Sequence, residues 1–469
     1  MGAALFLLAP ALVLWAAVVI WRCPLVTNCT IYLVVACCLG DYLWTFDAGG
    51  FTWTIDRLFT LLLAVAFLVQ GKLGRAEIKP FMRLDGLIVG FTALLIVSTF
   101  AHDWRTSGEG EDSIVVHLAN GYLIPLLIYG IVRNATYDQR QQRICWSILA
   151  LFGLYLAVTA LLEAAGLWNL VFPRYIADPE AGIHWGRARG PMLQSARLGF
   201  FLVTCAAVTW LLLTSLSSWG RMRYLLAVCF LPLSAAAMFV TYTRSVWMGA
   251  ASAVLVMIGM TWRGRWRAAA LYCLLVGAAV ALTVKGEDLI GFQRETSAQV
   301  TRDSAYTRAA FAYVSWQMFL DRPLVGHGFG QFQNNSQYYL SDRQTSLQLE
   351  AIRGYINHNT LMNQLAELGV FGPLLFVTIL SCWLTCGWRL GRSDDAPRWA
   401  RRQGLLLLLT FAAYVYQLLF REVSFSPVEN ALLFYMAGLT VSLYSRYVPE
   451  TSRPAAQPAA RRQPVIHAR

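Results

Sequence analysis

Two blocks, DSAYTRAAFAYVSWQMFLDRPLVGHGFGQF (Asp303–Phe332) and GYINHNTLMNQLAELGVFG (Gly354–Gly372), lie in the one long polar segment of this chain, Gly286 to Gly372. Apolar runs flank that segment on both sides. It ends where the chain re-enters an apolar helix, so any chemistry carried here would act against a membrane surface.

The 469 residues are 57% apolar, with a positive mean hydropathy. Long apolar runs recur from end to end, which marks a polytopic membrane protein rather than one with a single anchor. The spanning runs are expected at roughly 3–21, 29–45, 53–70, 84–100, 114–132, 144–166, 194–216, 222–241, 245–262, 266–284, 360–388, 403–420 and 427–445. A helix needs ~20 residues to cross. The first run has no basic leader ahead of it and reads as a retained helix.

The formal charge of +12 does not point to nucleic acid, because the charges are scattered through short inter-helix loops. Every second loop is basic: 71–83, 133–143, 218–223, 262–267, 389–402 and the tail from Arg446. These are assigned to the cytoplasm. Loop 101–113 is acidic, and loop 286–358 is nearly balanced; both belong on the opposite side. Thirteen runs with a cytoplasmic tail would place the N-terminus outside, so one of the first three is expected to be re-entrant or broken, leaving about twelve. The expected division is a helix bundle over 1–285, a large outer loop over 286–358, C-terminal helices over 359–446 and a disordered tail over 447–469. The ten cysteines sit in or beside apolar runs, with none in the long loop, which argues against disulfides and zinc there.

Outer loops should be poor in arginine, so the exceptions are informative. Loop 167–193 holds HWGRARGPM, with Arg187 and Arg189; the turn TYTRSVW carries Arg244; the long loop adds Arg308. Singly, each reads most simply as an interfacial residue that snorkels or binds lipid phosphate. Several on one side, each among Gly, Ser or Thr, read as a site for a lipid diphosphate, whose oxygens suit the planar guanidinium fork.

His358, in NHNT, begins an amphipathic helix that Asn357 or Asn359 can cap. A bland reading makes it a polar residue at a helix start. The alternative is a general base: a helix N-terminus and nearby arginines both disfavour imidazolium. His327 lies among glycines that signal a tight turn, and GHGFG has no surrounding βαβ unit to make it a dinucleotide site. His184 lies beside Arg187 and Arg189, where it can assist binding. The outer segments contain no paired acidic motif for a divalent metal, so a metal-free site is expected, with arginines stabilising charge instead.

Four pieces of this pattern resemble the O-antigen ligase, or Wzy-type, family of bacterial glycosyltransferases: ARGPM…SARLGF (Ala188–Phe200), TYTRSVWMG (Thr241–Gly249), SAYTRAAFAYVSWQMFLDRPLVGHGFGQF (Ser304–Phe332) and HNTLMNQLAELGVFG (His358–Gly372). The first 180 residues match only in hydropathy. The resemblance implies an all-α polytopic membrane protein, GT-C-like, with about twelve transmembrane helices and one large periplasmic loop containing short helices. It implies a Gram-negative inner-membrane location with the site facing the periplasm. The donor would be a glycan on undecaprenyl diphosphate, and the acceptor a sugar hydroxyl of lipid A–core, with no cofactor and no metal. Carried over by position, His358 would activate the acceptor hydroxyl, and Arg308, Arg244 and Arg189 would bind the donor diphosphate. Arg187 and His327 are added as substrate-binding candidates. Membrane lipids are the other expected partners.

Two readings compete. One is an O-antigen polymerase or protein O-oligosaccharyltransferase using the same donor. The other is a transporter of a lipid anion, which would need arginines at mid-membrane depth. Helix interiors here carry few charges, Asp56, Arg57 and Glu163 being the clearest.

Overall fold

A computed structural model of the chain describes residues 14–40, 45–48, 51–105, 113–262, 264–269, 272, 298–342, 345–425 and 427–448. The expected runs at 3–21 and 266–284 lie largely outside the described residues, as does the tail beyond 448.

Apolar sequence surrounded by hydrocarbon must satisfy its own backbone hydrogen bonds, and helices follow. After a helical stretch over 14–21 come α1 (Leu25–Cys38), a β-hairpin of β1 (Thr45–Ala48) and β2 (Phe51–Thr54), α2 (Ile55–Lys72), α3 (Arg83–Phe100) and α4 (Ile114–Asn134). Next are α5 (Gln139–Ala164), α6 (Ser195–Ser215), α7 (Met222–Phe239) and α8 (Arg244–Thr261). The chain then continues with α9 (Ala298–Asp321), α10 (Thr360–Leu368), α11 (Phe371–Arg392), α12 (Arg398–Phe420) and α13 (Pro427–Tyr447). Among the described residues, eight helices are long and apolar enough to cross a membrane: α3 to α8, α11 and α12. The expected run at 29–45 is a shorter helix, α1, that turns into the hairpin. Arg57, one of the charges in a helix interior, holds that hairpin by donating to the Thr52 carbonyl.

The inner helices are α6 and α12, with 72% of each apolar window buried; α7 and α8, at 22%, face outward. α13 is buried along nearly its whole described length. The basic loops gather at one end of the bundle. There Arg133 pairs with Asp85, the Lys79 N–H donates to Asn134 Oδ1 (2.8 Å), and Gln142 donates to the Trp399 carbonyl (3.0 Å). The other end collects loops 165–194 and 240–243, the polar segment, and the turn after α12.

The described part of the polar segment, from residue 298, is folded. It has a small core of its own, in which Phe311, Val314 and Met318 of α9 pack with Phe332, Leu340, Leu349, Ile352 and Ala366. The run expected at 360–388 is not one helix. It breaks at Gly369, whose φ of 62° is in the left-handed region, and α10 is separate from α11. The break is made by the turn after α9. The His327 N–H donates to the Ala366 carbonyl (3.0 Å), the Gly328 N–H to the Glu367 carbonyl (2.8 Å) and the Val370 N–H to the Pro323 carbonyl (2.9 Å). These bonds satisfy carbonyls that a helix C-terminus otherwise leaves open. A Cβ on Gly326 would stand 2.3 Å from the Glu367 backbone, so only glycine allows this crossing.

A second close approach sets α8 against α6. A Cβ on Gly199 would lie 2.1 Å from Cγ2 of Val246, two residues after Arg244. Gly199→Ala is therefore expected to destabilise the protein by about 1–3 kcal/mol, the usual range for overpacking. Thermal unfolding in detergent measures this; an unchanged midpoint would show that the contact yields freely.

Candidate active site

His358 immediately precedes the N-cap of α10. Asn359 is that cap: its Oδ1 accepts from the Met362 N–H (3.0 Å). Asn357 braces the turn from the other side. Its Oδ1 accepts from the Asn359 N–H (2.9 Å), and its Nδ2 donates to Ser315 Oγ on α9 (2.7 Å). Arg308, Phe311 and Ser315 recur at helical spacing, so they share one face of α9. That face meets the imidazole, with the Phe311 and His358 rings 5.0 Å apart.

The turn after α12 closes the third side. Asn359 Nδ2 donates to the Leu419 carbonyl (3.1 Å), Thr360 Oγ1 to the Arg421 carbonyl (2.8 Å), and the Val423 N–H to Thr360 Oγ1 (3.0 Å). The Arg308 guanidinium lies over the Phe420 ring, 5.3 Å from its centroid. Arg244 is the first residue of α8, exposed, and close enough to Arg308 for the two charges to repel.

The electrostatics follow from this grouping. His358 keeps an exposed surface, yet the protein around it removes hydration, and that pushes its pKa below the ordinary value. The charges of Arg308 and Arg421 push it further down, against a hydrogen bond with the Asn357 backbone that works the other way. Arg308 is itself lowered, first by desolvation and then by Arg244. The arrangement is a neutral imidazole beside mutually repelling guanidinium groups, which an anion would relieve.

The other sequence candidates fall elsewhere. Arg189 is fully buried, and its amino groups donate to the carbonyls of Ala181 (2.6 Å), Ile176 (3.1 Å) and Asp178 (3.1 Å). Its guanidinium also lies 4.6 Å from the centroid of the Trp185 ring. Its backbone N–H and that of Gly190 donate to the Glu163 carboxylate (3.0 and 2.8 Å), which accounts for an acid at the end of α5. Arg189 thus organises loop 165–194. Arg187 is half-buried in the same loop, its N–H donating to the His184 carbonyl (3.3 Å). His184 Nδ1 is hydrogen-bonded to Ser195 Oγ (3.1 Å), which accepts from Thr243 Oγ1 (3.1 Å), so this loop touches the turn that carries Arg244. His327 is buried, with Nε2 3.0 Å from the Met318 carbonyl and 3.3 Å from the Tyr339 hydroxyl. Met318 lies seven residues beyond Phe311, about 10 Å further along α9, which separates His327 from His358.

Arg421 was not singled out from the sequence. The rule that selected Arg244 and Arg308, an arginine in a loop on the side expected to lack them, applies equally to LLFREVSF between α12 and α13.

A helical membrane protein with a histidine and several arginines converging at one end of its bundle is defined by these observations. Residues 229–377, less than half of the chain, match the family described as O-antigen ligase, and that match supports an assignment to the family. The matched segment includes Arg244, Arg308 and His358; Arg187, Arg189 and Arg421 lie outside it. Members of that family are ligase- or polymerase-type glycosyltransferases, and the match supports an enzymatic activity of that general kind. A search of curated proteins finds no match.

Because the pKa of His358 is lowered, its imidazole is expected to stay neutral on acidification until below its ordinary pKa of about 6.5. If this imidazole must accept a proton, kcat/KM holds through pH 6.5 and falls only at lower pH. A pH–rate profile checks this, and an acid limb above pH 7 would contradict it.

Proposed function

We propose that the protein is an O-antigen ligase, transferring a glycan from undecaprenyl diphosphate to a sugar hydroxyl of lipid A–core. The setting is the periplasmic face of a Gram-negative inner membrane, and about twelve crossings carry the site. The observation that carries this reading is the placement of Arg308, Arg244 and His358 together at the end of the bundle opposite the basic loops. That is the side a lipid diphosphate would reach if the basic loops are cytoplasmic.

The chemistry follows from charge. The acceptor oxygen forms a bond to the anomeric carbon as the bond from that carbon to the diphosphate oxygen breaks. The electron pair leaves with the diphosphate, where Arg308 and Arg244 stabilise the added negative charge. The acceptor proton passes to His358. In-line attack inverts the anomeric centre. Two guanidinium groups supply what a divalent cation would otherwise supply, so the reaction is proposed to be metal-independent. The role of Arg189 is to shape the loop beside Arg244, Arg187 lies in that same loop, and His327 is set apart from His358 along α9.

His358→Ala is expected to fold and insert but to lose glycan transfer; near-normal transfer by the purified variant would remove the base assignment. Arg308→Ala and Arg244→Ala should each cost about 100- to 1000-fold in kcat, with poor rescue by Lys, which lacks the fork. Reconstitution with an undecaprenyl-diphosphate glycan and a choice of acceptors tests the substrate assignment. Transfer to lipid A–core supports the ligase; transfer only to another glycan or to a protein replaces it with a polymerase or an oligosaccharyltransferase. Activity that survives thorough chelation supports metal independence, and loss restored by Mg²⁺ refutes it.

A further inference from the structure

The turn after α12 joins parts of the site that are far apart in the chain. Arg421 Nη1 donates to Glu429 Oε1 on α13 (2.8 Å) and to Gln417 Oε1 on α12 (3.3 Å), and Nη2 donates to Gln194 Oε1 ahead of α6. Glu429 is fully buried. The Arg421 carbonyl accepts from Thr360 at the start of α10, and Arg197 of α6 donates to the Phe425 carbonyl (2.8 Å).

We propose that Arg421 is a positioning residue for the transfer reaction: clamped by Glu429, Gln417 and Gln194, it is a fixed cation that holds the start of α10 in register and keeps the His358 base unprotonated beside the leaving diphosphate. The inference rests on the role given to His358 above. The clamp matters because an arginine free to swing would follow the departing anion, whereas one tied to a buried carboxylate stays in place. The charged groups around the imidazole are Arg308 on α9 and Arg421 on the turn, with Arg244 of α8 behind Arg308. Glu422 is turned to the Ser424 N–H (3.0 Å), Glu367 to the Phe332 N–H (2.9 Å), and Glu429 is committed to Arg421. The charges that lower the His358 pKa are those of Arg308 and then Arg421, after desolvation.

The test compares Arg421→Lys with the double variant Arg421→Gln/Glu429→Gln, which removes the pair without leaving a buried carboxylate unmatched. Both are purified as the full chain, checked by thermal unfolding and assayed in reconstituted membranes across pH. Without the cation, the double variant should move the acid limb of kcat/KM up by about one pH unit. Its kcat should fall about 100-fold, with little change in donor KM. Arg421→Lys should return the limb to its original pH while recovering only part of kcat, since one ammonium cannot hold three partners. An acid limb unmoved in the double variant overturns the proposal and leaves the base assignment standing. Full activity in His358→Ala would instead remove the base assignment itself. If the double variant does not fold, an acid limb displaced upward in Arg421→Lys overturns the proposal on its own, and one that stays in place supports it.

Discussion

The crossing of the Gly326–Gly330 turn over the end of α10 is the contact on which the site depends. It satisfies carbonyls at a helix terminus, and in doing so it ends α10 after nine residues and separates it from α11. It also pins the far end of α9 against α10. With the far end of α9 held against the end of α10, the face bearing Arg308, Phe311 and Ser315 lies against Asn357 and His358. Gly326 is there because the Glu367 backbone lies 2.3 Å from where its Cβ would be. A turn that looks like a ligand loop is in this protein a clasp between two helices.

The same dependence explains which parts of the architecture were legible in the sequence. The apolar runs were, because hydrocarbon leaves the backbone few alternatives. Loop charge sorted the ends of the bundle, and the basic loops do meet at one of them. The break at Gly369 was legible only as a glycine that loosens the helix after Leu361, Leu365 and Leu368, not as an end to it. What interrupts the helix is a contact with residues 323–328, and local periodicity carries no record of that.

Among the site residues, His358 and Arg308 were legible because a His before a capping Asn and an Arg on an outer loop are each unusual. Their proximity was not: it comes from α9 packing alongside α10 in the same direction, Ser315 against Asn357 at one end and the turn after α9 against Ala366 and Glu367 at the other. Arg189 satisfied the same rule as Arg308 but lies buried among carbonyls. Sequence position cannot distinguish an arginine that faces a ligand from one that organises a loop, since both need the same planar donors. Arg421 was missed in a turn too short to draw notice, although that turn touches α6, α10 and α13.

Where each guanidinium is held decides what it can do. Arg189 has both amino groups turned to backbone oxygen, so its donors serve the loop. The Arg308 guanidinium carbon lies over the Phe420 ring, 5.3 Å from its centroid, where the ring's π face attracts the cation. That contact helps to hold the cation in place before a ligand arrives. That is the requirement for stabilising a charge that appears only in the transition state, since donors already oriented need little rearrangement when it forms. Arg244 repels Arg308 across the same space, and an arriving diphosphate would remove the repulsion and gain both attractions. If a diphosphate binds here as proposed, the repulsion between Arg308 and Arg244 would be relieved by it, and most so as it takes on the extra charge of a leaving group.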